Sequence, residues 1–490
     1  MLIIEVHFIS SDLIKLPIIY SDANYLVGKI SVQLLLVHHI LLLRNSEHYK
    51  DYLMEIYVVQ YGDRIETIAS KFGITVERLI SDNGLINPYS LVVGQALVIL
   101  YPQKIYTVQQ GDTLAGIAVK NGITDMQLIR NNPFLYDREY IMQGDTLVIS
   151  YNTIKDLQVI GFTNAYINPN ILTRALPYLT FLSIYNYQFT KTSDIINYSD
   201  DTAIIKMAKQ YDTIPLLMIS TLSPAGEVDI EFVYRVLLDI ELQDNLIGEI
   251  VQNLRSKEFS GINLLISYIT DYNQNLYLNF FTKLSEQIRN KGYLFMITIS
   301  PGVSVFDNID YSSISSLVDK IIFFENIWIK KMQPPSPISN ISLIRPFIEN
   351  ITSKISPKYI SLGIPLIGYD WIVPFVPGST VNLLSLNSAV VLAYDQGAEI
   401  RLDEESQTPY FSYFRSIVGT TEEHIVWFID ARSINALDEV ILDYDLESSG
   451  IWNITSYNQQ LFSITNATFN IIKLPVEFNF SLLPKVQNYI

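Results

Sequence analysis

The sequence predicts an α/β chain: two small βααβ domains followed by a (β/α)8 barrel that carries a small α+β insertion. Three observations predict it. A segment that begins at Tyr57 recurs from Tyr106, an offset of 49 residues. From Leu157 onward the texture changes to apolar runs of four to eight residues separated by helical stretches, as a buried parallel sheet with crossover helices requires. At 490 residues the chain has room for about three domains of roughly 150 residues each.

Residues 1–53 show neither a helical nor a strand period and match no recognisable domain. Their strongest apolar run, Ile30 to Leu43, is 14 residues long and holds Gln33, His38 and His39, too short to span a bilayer. The start, MLIIEVHFISSDLIKLP, lacks a basic n-region and carries Glu5, Asp12 and Lys15, so it does not read as a secretory signal. The expectation is no export signal and no membrane anchor. Met54 opens the first recognisable domain and is expected to be the natural start, with 1–53 a misassigned extension; N-terminal sequencing of native protein beginning before Met54 would reject this.

The repeat aligns YVVQYGDRIETIASKFGITVERLISDNGLINPYSLVVGQALVIL with YTVQQGDTLAGIAVKNGITDMQLIRNNPFLYDREYIMQGDTLVIS. Each copy begins with an alternating strand, Tyr57 to Gln60 or Tyr106 to Gln109, and turns at Gly-Asp. Asp63 is placed as the N-cap of a short helix ending near Phe72, with Glu66 completing a capping box. A second helix follows Thr75 or Thr124. An Asn-rich loop then leads to a closing strand, Ala96 to Leu100 or Thr146 to Ser150. The expected domains are 54–101, 104–151 and a barrel over 157–484.

The barrel strands are expected at Gln158 to Thr163, Phe181 to Tyr185, Pro215 to Ser220, Gly261 to Ser267, Leu294 to Ser300, Lys320 to Glu325, Tyr359 to Ile364 and Gly450 to Ile454. Between the last two, about 369–430 is strand-rich and too long for a loop, which predicts the inserted α+β subdomain.

Composition narrows the partners. With 33 Lys plus Arg against 50 Asp plus Glu, the formal net charge of −17 repels phosphate backbones and anionic membranes, so neither nucleic acid nor membrane is expected. No cysteine is present, which rules out disulfides, thiolate metal sites and a cysteine nucleophile. Of the five histidines, the pair His38 and His39 lies in an apolar run and His424 precedes a predicted strand. None has metal-ligand spacing, so they are expected to be structural and no metal or cofactor is expected.

The repeated pattern Y-x-V-Q-x-G-D, followed by I-A, G-I-T and a Gly-Gln or Gly-Asp before L-V-I, resembles the LysM module. That resemblance implies binding of N-acetylglucosamine-containing glycans through the loops after the first strand and before the second. The positions are Gly62, Asp63, Arg64 and Ile65 with Asn87 and Pro88, then Gly111, Asp112, Thr113 and Leu114 with Asn132 and Pro133. The rival reading gives Gly-Asp to the turn and cap alone.

The segments YLTFLSIYNYQFT, FSGINLLISYI, SLGIPLIGYDWIVPFVPG, PYFSYFRS and VWFIDARSINA resemble family 18 glycoside hydrolases, in particular the LysM-fused, spore-associated members of the spore peptidoglycan N-acetylglucosaminidase type. That resemblance implies a TIM barrel and substrate-assisted hydrolysis, in which a Glu protonates the leaving oxygen while the acetamido oxygen of the sugar attacks, an exception to the two-carboxylate scheme. The family signature on the fourth strand is D-G-x-D-x-D-x-E. Here the stretch reads Ser260, Gly261, Ile262, Asn263, Leu264, Leu265, Ile266, Ser267, which puts Leu265 and Ser267 at the last Asp and the Glu. Phe324 stands where relatives commonly have a Tyr. Removing a general acid costs about 10² to 10⁴ in rate.

Glu325 is the candidate surrogate carboxylate. Asp271, four residues beyond Ser267, is about 13 Å away on an extended chain. The resemblance further assigns Trp452 to the floor of a saccharide subsite, offering a flat apolar ring to a pyranose. Tyr185, Asn263, Glu325, Asn326, Tyr369 and Trp371 are placed in or beside the cleft. These resemblances together imply a peptidoglycan- or chitin-binding protein with an inactive glycosidase-like barrel, made in the cytoplasm and deposited in the spore cortex or coat. The alternatives are an active N-acetylglucosaminidase with a displaced carboxylate and a protein-interaction platform.

Overall fold

The computed structural model of the chain describes residues 53–136, 140–189, 195–220, 230–266, 268–299, 308–324, 333–379, 381–417 and 419–474, all within the unit Leu53–Ile490. In the first repeat, β1 (Met54–Val58) and β2 (Ala96–Leu100) pair antiparallel around α1 (Ile65–Phe72) and α2 (Val76–Asn83). The second repeats the plan with β3 (Lys104–Thr107), α3 (Leu114–Asn121), α4 (Asp125–Asn131) and β4 (Thr146–Ser150).

Asp63 does not cap α1. Its carboxylate accepts the Gln60 N–H and the Tyr57 hydroxyl, each at 2.7 Å, and so is spent on the turn. The helix starts one residue later with Arg64 as N-cap, and Thr67 rather than Glu66 returns to the Arg64 N–H, at 3.1 Å. Asp112 repeats the arrangement with Gln109 and Tyr106 at 2.8 Å, while Thr113 caps α3 through the Gly116 N–H at 3.0 Å.

The barrel strands are β5 (Lys155–Thr163), β6 (Phe181–Phe189), β8 (Ile214–Ser220), β9 (Gly261–Ile266), β10 (Leu294–Ile299), β11 (Lys320–Phe323), β12 (Ile360–Pro365) and β18 (Ser448–Trp452). They pair in parallel in that order, and β5 closes the ring against β18. β7 (Ile195–Asn197) forms a hairpin with β6. Around the strands lie α5 (Pro169–Ala175), α6 (Thr202–Gln210), α7 (Ile230–Leu238), α8 (Ile240–Ser256), α9 (Gln274–Arg289), α10 (Tyr311–Leu317) and α11 (Ile341–Thr352). The insertion is an antiparallel sheet in the order β14 (Val381–Leu384), β13 (Gly368–Val373), β17 (Thr420–Trp427), β16 (Thr408–Ile417), β15 (Arg401–Asp403), with α12 (Leu386–Asp395) after β14. His424 lies in this sheet, 1% exposed and stacked on Tyr413, with Nδ1 2.9 Å from Asp370 Oδ1.

After the insertion come α13 (Ala431–Asp443), β18, α14 (Gln459–Thr468) and β19 (Phe469–Ile471), which adds to the start of β5. Every residue of α14 is buried, although its sequence QQLFSITNAT is rich in amides and hydroxyls. Buried polar groups need partners, and here the two repeats supply them. Gln460 donates to Asn83 Oδ1 at 3.0 Å and to Ala96 O at 2.8 Å, Ser463 donates to Asp82 O at 2.7 Å, and Asn466 donates to Asn131 Oδ1 at 2.8 Å. The repeats are thereby seated on the barrel through hydrogen bonds that specify their position.

Candidate functional site

Side chains alternate along a strand, so one set lines the barrel interior and aims at the mouth formed by the strands' C-terminal ends. At this mouth Trp452, half-buried at the end of β18, stacks on Tyr185 of β6, with centroids 5.2 Å apart and planes at 19°. Phe162 lies 5.3 Å and Phe324 6.1 Å from the same indole. Leu265, Met218 and Met296 belong to the same interior cluster. Leu265 is 4% exposed and Phe324 1%.

Glycines shape this packing. A Cβ on Gly363 would lie 2.3 Å from the Phe324 ring, and one on Gly450 would lie 3.4 Å from it, so Phe324 fills space that two bare backbones leave. Burial raises the Tyr185 hydroxyl pKa above its ordinary value, against a hydrogen bond with Asn164 that lowers it. Among the described residues the eight barrel strands carry a single carboxylate, Asp156, near the start of β5, where it accepts from Asn470 at 2.7 Å. That is the end of the barrel opposite the mouth.

Several residues expected at a sugar surface sit elsewhere. Asn263 is fully buried, donating to Ser183 Oγ at 3.1 Å and accepting from Thr298 Oγ1 at 2.9 Å; it braces three strands inside the barrel. Trp371 is 0% exposed, with its indole N–H on Gln333 O at 3.1 Å, and Tyr369 beside it is 3% exposed. Both pack the seam between insertion and barrel, which corrects their placement as cleft residues. Asp271 is exposed just before α9. Ser267, Glu325 and Asn326 lie outside the described residues, as do His38 and His39.

In the repeats, Gly62, Arg64, Asn87, Gly111 and Thr113 are exposed, and Asp63, Pro88, Asp112 and Leu114 are half-buried. Ile65 is a core residue at 1% exposure. Asn132 and Pro133 are buried as well. The Asn132 amide donates to Leu128 O and Val148 O and accepts from the Val148 N–H, all at 2.8 Å, so it ties α4 to β4 and has no surface to offer a ligand. Asn83 does the same for α2 and β2. The 49-residue offset pairs Asn132 with Asn83 rather than Asn87, a signal already present in the repeat. The hydrogen bond to Asp63 pushes the Tyr57 hydroxyl up to about 12.

The sequence reading missed a cleft where the first repeat meets the insertion. Asn87 and Ser90 face Asn387, Val391 and Tyr394 of α12 across it, and Asp430 and Asn458 lie in its wall. A second cleft, beside Trp452, is lined by Leu366, Ser385, Asn453 and Ser456.

The LysM domain model matches residues 57–100 and 106–150, and the model for glycosyl hydrolases family 18 matches residues 166–456. The chain is 31% identical over 438 residues to the cortical fragment-lytic enzyme of Bacillus subtilis, covering 86% of this chain and 99% of that protein. It is 29% identical over 411 residues to the putative sporulation-specific glycosylase YdhD of the same organism, covering 82% and 96%. The solved structure of the Bacillus cereus spore cortex-lytic enzyme SleL superposes with a TM-score of 0.71 at 26% identity, covering 86% of this chain and 99% of that one.

Proposed function

The chain belongs to glycosyl hydrolases family 18 and carries two LysM domains, and we propose that it binds N-acetylglucosamine-containing glycan of the spore cortex without cleaving it. The relatives named cortical fragment-lytic enzyme and SleL support the cortex as its location. The observation that carries the noncatalytic reading is the mouth itself. Half-buried Trp452 and Tyr185 sit there over a closed apolar cluster of Phe162, Phe324, Leu265 and Met218, and the one carboxylate on the described barrel strands lies at the far end. A general acid must reach the leaving oxygen within hydrogen-bond distance, and none of these side chains has a proton to give at a useful pKa. The part of the Trp452 and Tyr185 stack left exposed at the mouth remains suited to a pyranose ring.

The experiment measures co-sedimentation with spore peptidoglycan beside release of reducing ends from the same material and from chitooligosaccharides. Binding without release is expected. Turnover by the natural sequence would overturn the reading. The second reading, active hydrolysis, is favoured by the lytic relatives and requires a carboxylate such as Glu325; turnover that Glu325→Gln abolishes would establish it.

A further inference from the structure

The two clefts lie end to end. Ser385 lines the cleft beside Trp452, and the next residues, Leu386 and Asn387, line the cleft at the first LysM domain. On the opposite strap, Ser456 lines the cleft beside Trp452 and Asn458 the cleft at the LysM domain, two residues apart and so within about 7 Å. The linings of the two clefts thus adjoin, from the barrel mouth past the head of the insertion to the Asn87 loop of the LysM domain.

Close contacts fix the walls of the cleft at the LysM domain. Gly94, at φ +85°, lies so close to the insertion that a Cβ there would fall 1.8 Å from Ile400 O. Ile400 N–H donates to Val93 O at 3.0 Å, and Arg432 donates to Gly94 O at 3.1 Å while also holding Asp430 at 2.7 Å. Gln460 and Ser463 pin the same domain from below. The LysM domain and the barrel therefore present one composite surface.

The chemistry of the walls selects the occupant. Tyr394 is 50% exposed and offers an aromatic face; Val391 adds apolar surface, and Asn87, Ser90 and Asn387 add neutral donors and acceptors. The charged group in the wall, Asp430, is already neutralised by Arg432. Apolar faces interleaved with uncharged hydrogen-bonding groups match a neutral polyhydroxylated, acetamido-bearing chain, not a polyanion or a charged peptide. Resting on the glycan-binding reading above, we propose that one β-linked N-acetylhexosamine strand is held simultaneously by the first LysM domain, the α12 face at Asn387 and Tyr394, and the Trp452 floor. Joining subsites on a rigid frame raises affinity for a long strand without changing that of a short one.

The test is calorimetric titration of the full chain with N-acetylglucosamine oligomers from dimer to hexamer, beside Tyr394→Ala and Val391→Trp. The first removes an exposed ring; the second fills the cleft. The hexamer-to-dimer affinity ratio should fall roughly 2- to 10-fold in Tyr394→Ala, the equivalent of one aromatic contact, and further in Val391→Trp, with dimer affinity unchanged. Hexamer binding by the natural chain that both variants reproduce would overturn the bridging strand and leave glycan binding standing. Failure of the natural chain to bind any oligomer would take the function reading down with it. Tyr394 is half exposed, so its variant keeps the test alive if the filled cleft prevents folding.

Discussion

Introducing a carboxylate at Leu265, where the resemblance to family 18 implies one, is expected to destabilise the barrel. Leu265 is 4% exposed in the apolar interior with Met218, Met296 and Phe324. Leu265→Asp forfeits most of a leucine's burial, roughly 1.5–3 kcal/mol, and leaves a polar group without a partner, about 1–3 kcal/mol more. The sum, roughly 2.5–6 kcal/mol, is a large part of the roughly 5–15 kcal/mol that holds a domain together. Desolvation should raise the pKa of the introduced carboxyl in the folded state above its unfolded value of about 3.9. Between those two values the folded form holds more protons, so the variant loses stability as pH rises through that window, and its penalty is smallest below about pH 4. Urea unfolding of parent and variant at several pH values measures this directly. A variant as stable as the parent, with a carboxyl titrating near its ordinary value, would mean that the mouth is wet and polar. That result would refute the apolar-mouth argument and with it the basis for a noncatalytic barrel.

Gly94→Ala should unseat the first LysM domain, because the added Cβ meets Ile400 O at 1.8 Å and the φ of +85° is strained for alanine; faster amide exchange at Val93 and Ile400, with the second LysM domain unchanged, is the expected result. Asn132→Ala should cost about 2–5 kcal/mol in the second LysM domain, since it strands the Val148 N–H and two carbonyls in a buried place; hydrogen exchange at Val148 reads it. The Gln109 N–H and the Tyr106 hydroxyl hold the Asp112 carboxyl below its ordinary pKa. A depressed carboxylate contributes stability above about pH 4 that disappears as pH falls through the folded value, so the Asp112 resonance should titrate late and its turn should loosen only in stronger acid.

The fold was legible because its signals are periodic. All eight barrel strands were expected within a few residues of β5 to β18, since a buried parallel strand writes itself as an apolar run, and the βααβ repeat announces itself by its offset. The site was legible only where a residue type has one dominant use at its position: Trp452 at a strand end does face the mouth, stacked on Tyr185. It was not legible where a polar or aromatic residue serves either a ligand or the protein. Asn132, Asn263 and Trp371 spend their hydrogen bonds inward; the repeat offset ties Asn132 to Asn83, but nothing in the spacing around Asn263 distinguishes an amide that braces a strand from one that meets a sugar. The amides of α14 were equally opaque: in sequence they resemble a solvated helix face, yet they are buried because Asn83, Asn131 and Asp82 bring matching groups from far up the chain. The composite cleft inherits that opacity. It depends on α14, Arg432 and Ile400, which seat one domain against another, so the surface that would grip a long glycan is encoded in part by residues that need never touch it.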